Sequence, residues 1–69
     1  MAKNINKYVT SLSNMLSVKE EDVKEWIMNN NYEKWQLKVI YRQVWNDDIE
    51  IPTLRKSIID NTNYEISLY

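Results

Sequence analysis

A chain of 69 residues without one glycine must make every turn with residues that carry a Cβ. Glycine is the residue that enters the left-handed region and the tight hairpin turns without steric cost. The turn candidates left are Ser17, Asn29–Asn31, Asn46 and Asn61–Asn63. These are capping residues, so they favour helices joined by short links over hairpins. The single proline, Pro52, adds one further break.

Cysteine and histidine are absent as well. Their absence excludes tetrahedral zinc sites, iron–sulfur clusters, haem ligated by His or Cys, and disulfides. It also excludes catalysis that needs an imidazole base or a thiolate. Without glycine there is no phosphate-cradling Walker loop, no dinucleotide fingerprint and no ordinary EF-hand turn. The expectation is therefore no cofactor, no metal site and no catalytic constellation. A domain of this size buries only roughly 60% of its unfolded surface, which leaves little free energy for an enclosed active site.

The chain is nonetheless rich enough to fold. Its apolar share is 43% and its aromatic share 12%, with three Trp and five Tyr, whereas disordered chains are poor in these residues. One domain is expected over 1–69, with a partner or a second copy supplying further burial.

Net charge is −1, and a nucleic-acid-binding domain of this size is usually basic. The charges segregate along the chain. Lys3 and Lys7 make the start positive, residues 19–25 are net negative, residues 33–42 are net positive, and Asp47, Asp48 and Glu50 form an acidic cluster. No apolar run has the length of a signal-peptide core or a membrane span, so a cytoplasmic protein with no membrane partner is expected. Frequent Asn, Ile and Lys, with Lys far above Arg, fit an AT-rich coding sequence such as that of a low-GC bacterium or its phage.

Ile5, Tyr8, Val9, Leu12, Met15 and Leu16 recur at helical spacing and predict a helix over 4–16, capped by Asn4 or Asn6. Ser17 followed by Glu20 matches a capping box, and Glu20, Glu21 and Asp22 suit a first helical turn. Val23, Trp26 and Ile27 supply the buried face of a second helix over 18–29, ended by the Asn triplet. Segment 32–45 reads two ways. As a helix it is capped by Asn30 with Glu33 and carries two apolar patches, Leu37–Ile40–Tyr41–Val44 and Tyr32–Trp35–Val39. As a strand, Trp35, Leu37, Val39 and Tyr41 alternate with mostly polar neighbours, and Asn46–Asp48 turn into Ile49–Ile51. The capping cues favour the helix. Thr53 then caps a short helix over 54–60. Tyr64, Ile66 and Leu68 alternate in a tail, 63–69, that reads as a strand or an extended arm.

The expected fold is thus mainly α, a small domain of three or four short helices. The alternative is α+β, with two N-terminal helices and a C-terminal hairpin or small antiparallel sheet.

Leu12, Ser13, Leu16, Ser17, Val18, Val23, Trp26 and Ile27 fall on the apolar, small and turn positions of a helix-turn-helix, and residues 12–27 resemble that motif. Ser13 stands where the motif usually has Ala, and Ser17 where it usually has Gly. The resemblance implies a DNA-binding regulator. However, the second helix would present Lys19, Glu20, Glu21, Asp22, Lys24 and Glu25, a net negative surface, to a polyanion. The pattern also resembles the helical hook by which Sin-type repressors pair with their antirepressor, a protein–protein module.

Lys34, Lys38 and Arg42 stand at i, i+4 and i+8, with Tyr41 and Trp45 beside them. Such a stripe either follows a nucleic-acid backbone or forms a solvated face. Glu21 with Glu25, and the 47–50 carboxylates, read as solvated faces and caps. Three Trp are the most pointed signal, since Trp is enriched at protein interfaces. Trp26 fits the core stripe. Trp35 and Trp45 do not share one, so either one of them is exposed or the two close opposite sides of a two-faced helix. The functional expectation is a non-catalytic regulator or inhibitor, phage- or mobile-element-encoded, that binds another protein or itself as a homodimer. Trp35, Lys38, Arg42 and Trp45 are its candidate partner-binding residues. The alternative is a helix-turn-helix DNA-binding regulator that uses Lys3, Lys7, Lys34, Lys38 and Arg42.

Overall fold

The structure is a computed structural model that describes residues 5–65. Four helices follow one another: α1 (Asn6–Leu16), α2 (Glu20–Asn29), α3 (Lys34–Trp45) and α4 (Ile51–Asp60). No strand occurs among the described residues. α1 packs on both α2 and α3, and α2 packs on α4. All four helices and the α2–α3 link contribute to one core, whose fully buried centre is Leu12, Leu16, Val23, Trp26, Leu37, Ile40, Leu54 and Ile58.

The four helices end alike. Each is followed by a non-glycine residue in the left-handed region: Ser17 (φ 56°), Asn31 (φ 55°), Asp47 (φ 59°) and Asn61 (φ 58°). The next N–H then reaches back five residues to a helical carbonyl. Val18 donates to Ser13 (3.1 Å), Tyr32 to Ile27 (3.1 Å), Asp48 to Gln43 (2.8 Å) and Thr62 to Ser57 (2.9 Å). These are Schellman closures, which satisfy the orphan carbonyls of a helix end. Asn and Asp tolerate this conformation because their side chains hydrogen-bond locally. Ser17 is the exception in residue type.

That geometry corrects the expected caps. Ser17 is not the N-cap of α2, because an N-cap residue sits in the extended region and Ser17 is left-handed. α2 starts two residues later than expected, after an extended Lys19 that makes no side-chain cap bond. Asn30 does not cap α3. It closes α2, with its side-chain Nδ2 donating to the Trp26 carbonyl at 2.9 Å. Glu33 takes the N-cap place, and its N–H donates to Gln36 Oε1 at 2.8 Å. α1 begins at Asn6 after Ile5, again with no side-chain cap bond, and Asn4 lies outside the described residues. α4 begins at Ile51 rather than after Thr53, with Pro52 in its first turn, where the missing N–H has no intrahelical acceptor to lose.

The strand reading of 32–45 fails on Leu37 and Ile40. Both are fully buried in the same core. Three residues apart, they share a face in a helix but point to opposite faces of a strand. Tyr32 lies in the link before α3, outside the helix assigned to it by sequence. Of the expected C-terminal arm, Asn63–Glu65 are non-helical, and Ile66 and Leu68 lie outside the described residues. Tyr64 is half-buried and held at its backbone by one side chain. The Tyr32 hydroxyl accepts from the Tyr64 N–H (2.7 Å) and donates to the Tyr64 carbonyl (2.9 Å).

Candidate protein-docking face

α3 turns Leu37 and Ile40 into the core, with Tyr41 and Val44 packed partly against it. The opposite side holds Lys34, Trp35, Lys38, Arg42 and Trp45, all exposed. At about 100° per residue these five span an arc of roughly 100°, with Trp35 and Trp45 about 80° apart and near opposite ends of the helix. Trp35 is 50% and Trp45 72% exposed. Both tryptophans therefore stand on the outer face. Neither closes a second core, and the expectation that only one would be exposed falls short. α3 carries three cations and no acid. Among the described residues the side chains of Lys34, Lys38 and Arg42 have no ion-pair or hydrogen-bond partner.

Trp45 is exposed but not loose. Its ring stacks on Tyr41 (centroids 6.5 Å apart, planes 17° apart), and Tyr41 meets buried Tyr8 edge-on at 6.1 Å. The aromatic row thus runs from the core to the surface. Lys7 of α1 adds a cation beside its inner end, with Nζ 5.7 Å from the Tyr8 centroid. Trp35 walls an open cleft of about 220 Å³ shared with Tyr32 and Tyr64. The face gathers every candidate partner-binding residue named from sequence. Lys34 joins them, Lys7 lies on the neighbouring helix, and Lys3 is outside the described residues.

α2 presents the opposite chemistry. Glu20, Glu21, Asp22 and Glu25 stand against Lys24 alone, and Met28 is 61% exposed. Its tryptophan is fully buried. The Trp26 indole N–H donates to the Thr62 carbonyl at 2.7 Å and lies 3.3 Å from Ser57 Oγ, which itself donates to Thr62. The ring packs on Tyr32 at 4.6 Å. Burial raises the hydroxyl pKa of Tyr32 above its ordinary 10.0, and the hydrogen bond to Tyr64 opposes that in part. Tyr64 is raised by burial and then by the nearby Glu50 charge.

Sequence reasoning missed the polar latches. Ser13 is buried, and its hydroxyl donates to the Val18 carbonyl at 2.6 Å, tying the α1–α2 turn across itself. Ser57 is likewise buried beneath the tail. A serine placed on an apolar stripe, as both are, was the available signal. The carboxylate pairs and clusters do not converge: no group of three or more Asp or Glu placed to hold a metal ion occurs among the described residues. No described helix is long and apolar enough to cross a membrane.

No family model matches the chain, and neither the curated proteins nor the solved structures contain a significant match to it.

Proposed function

We propose that this chain is a small, non-catalytic protein-binding regulator or inhibitor that acts by occupying a surface of a larger protein. The observation that carries the reading is the outer face of α3, where two exposed tryptophans stand among three unpaired cations. Cations at i, i+4 and i+8 repel one another along a helix, and exposed indole rings forgo burial. A partner with an acidic surface and an apolar recess relieves both costs. Trp and Arg are the residue types that dominate binding energy at protein interfaces, and Trp45 is already oriented by Tyr41. The composition fits a phage or mobile-element product working in a bacterial cytoplasm.

The test is affinity capture from host lysate with wild type, Trp35→Ala/Trp45→Ala, and Ile59→Ala on the exposed side of α4. The tryptophan variant is expected to lose a partner that the Ile59 variant retains. An identical set of captured proteins with all three rejects the reading.

One observation favours the helix-turn-helix alternative. Ser17 adopts the left-handed conformation at the motif's glycine position, while Leu12, Val23 and Trp26 are fully buried at its apolar positions. The acidic outer face of α2 opposes its use on DNA. A gel shift at low salt decides: retention of duplex, weakening with salt, would establish DNA binding, and no retention would remove it.

A further inference from the structure

The charges of α2 and α3 are equal and opposite. α2 carries Glu20, Glu21, Asp22 and Glu25 against Lys24, a net of −3, and α3 carries Lys34, Lys38 and Arg42, a net of +3. The two helices have ten and twelve residues, so their exposed faces match in length, at about 15–18 Å. Among the described residues none of these charged groups is paired within its own chain.

From this we infer that the outer face of α2 on one copy docks on the outer face of α3 on a second copy. The inference rests on the reading of the α3 face as a protein-docking surface, and it names a specific occupant. Like faces repel: α3 on α3 sets a net +3 against a net +3, and α2 on α2 sets a net −3 against a net −3. Contact between unlike faces is the pairing of these two surfaces that joins opposite charges. Met28 is exposed on α2 and Trp35 and Trp45 are exposed on α3, and sulfur–aromatic contacts are favourable. Such contact is heterologous, because each copy uses a different face, so growth past two copies is open unless the geometry closes a ring. One helix face per copy is smaller than the roughly 800 Å² per partner of a standard interface. Association is therefore weak and falls with salt, as exposed charges are screened over about 8 Å at physiological ionic strength.

Sedimentation of the full chain over a concentration series tests this at low and high salt. At low salt the mean mass rises above one chain with concentration, and at high salt it returns to one chain. Lys38→Gln/Arg42→Gln disables the α3 face, and Glu21→Gln/Glu25→Gln disables the α2 face. Each variant alone self-associates about tenfold more weakly. Mixed together they form a 1:1 pair, because the first keeps its α2 face and the second its α3 face. All four positions are exposed, and an unchanged helical circular-dichroism signal confirms that each variant is folded. A wild type that stays monomeric at low salt overturns the inference, as does a mixture that fails to pair. Lysate capture separates the two readings. A monomeric protein whose partner capture still needs Trp35 and Trp45 rejects self-docking alone. Salt-sensitive self-association with tryptophan-independent capture supports self-docking and rejects a foreign partner at α3.

Discussion

α2 and α3 are nearly the same length and both pack on α1, yet they place their largest side chains on opposite sides. α2 turns Trp26 fully inward and leaves carboxylates outside. α3 sends only aliphatic residues to the centre of the core and leaves Trp35 and Trp45 outside among cations. The difference is one of partners. Trp26 meets a ready acceptor in the Thr62 carbonyl, a ring in Tyr32 and the whole of the core. Trp45 stacks on one ring, Tyr41, and is otherwise largely exposed. A buried indole with its N–H satisfied contributes to stability, whereas an exposed one leaves its binding energy to an external surface.

The hardest way to break the comparison is Trp26→Ala. Truncating a fully buried Trp costs about 3–5 kcal/mol, a large share of the about 5–15 kcal/mol that holds a typical domain together. The expected outcome is loss of the cooperative thermal transition followed by circular dichroism. A variant that melts within a few degrees of wild type would show that the α2–α4 core is not organised around this ring.

Next in size is Tyr32→Phe, in the link between the two helices. It removes the hydroxyl that both accepts from and donates to Tyr64, at a cost of about 1–3 kcal/mol. The same group sets an alkaline limit. Its pKa is raised in the fold, so the unfolded chain loses this proton first as pH climbs past 10.0. The unfolded state then binds fewer protons than the native one, and stability falls with rising pH until the native pKa is reached. Urea melts between pH 9 and 11 should show that decline in wild type and a shallower one in Tyr32→Phe. Equal slopes would remove Tyr32 as its source.

Much of this was legible in the residues, and what was not has a common cause. The stripe of α1, the core role of Trp26 and the basic arc of α3 follow from spacing alone, because a 3.6-residue period fixes which side chains share a face. The ending of α2 by its Asn triplet follows from the residues, but Ser17 and Asn30 also read as caps of the helix that follows them, whereas the structure uses them to close α1 and α2. Cap residues serve either terminus, and only the backbone conformation distinguishes the two uses. The apolar character of Tyr32 groups it with α3 in the sequence, although its role is set by Tyr64, 32 residues away. Pairing at that separation leaves no periodic trace. The exposure of both outer tryptophans was also out of reach, since it depends on how narrow a stripe of α3 the other helices cover.

The two links also differ in the residue that turns left-handed: Ser17 leads toward α2 and Asn31 toward α3. Serine pays a steric cost there that glycine avoids, and the more flexible unfolded chain of a glycine variant returns part of the gain. Ser17→Gly is therefore expected to stabilise by about 0.5–1 kcal/mol, and Asn31→Gly by less, because Asn tolerates the conformation better. Denaturant midpoints of the two variants rank them. Destabilisation by Ser17→Gly would mean that the link does not hold its left-handed turn in solution.

The smallest expected effect is the one on which the comparison depends most. Trp45→Ala removes as many atoms as Trp26→Ala, but from a position that is 72% exposed, and substitutions at such sites usually stay within about 0.5 kcal/mol. Some loss is expected from the Tyr41 stack, because aromatic pairs contribute about 0.5–1.5 kcal/mol beyond area when well packed, and this one lies at the solvent edge. A neutral additive such as acrylamide should quench the Trp45 and Trp35 emission strongly and that of Trp26 hardly at all, so the double variant Trp35→Ala/Trp45→Ala should leave a protected, folded emitter. If the double variant instead unfolds, the outer rings support the fold itself. The division between an inward helix and an outward one would then be lost, and with it the reason to read α3 as a surface that waits for another.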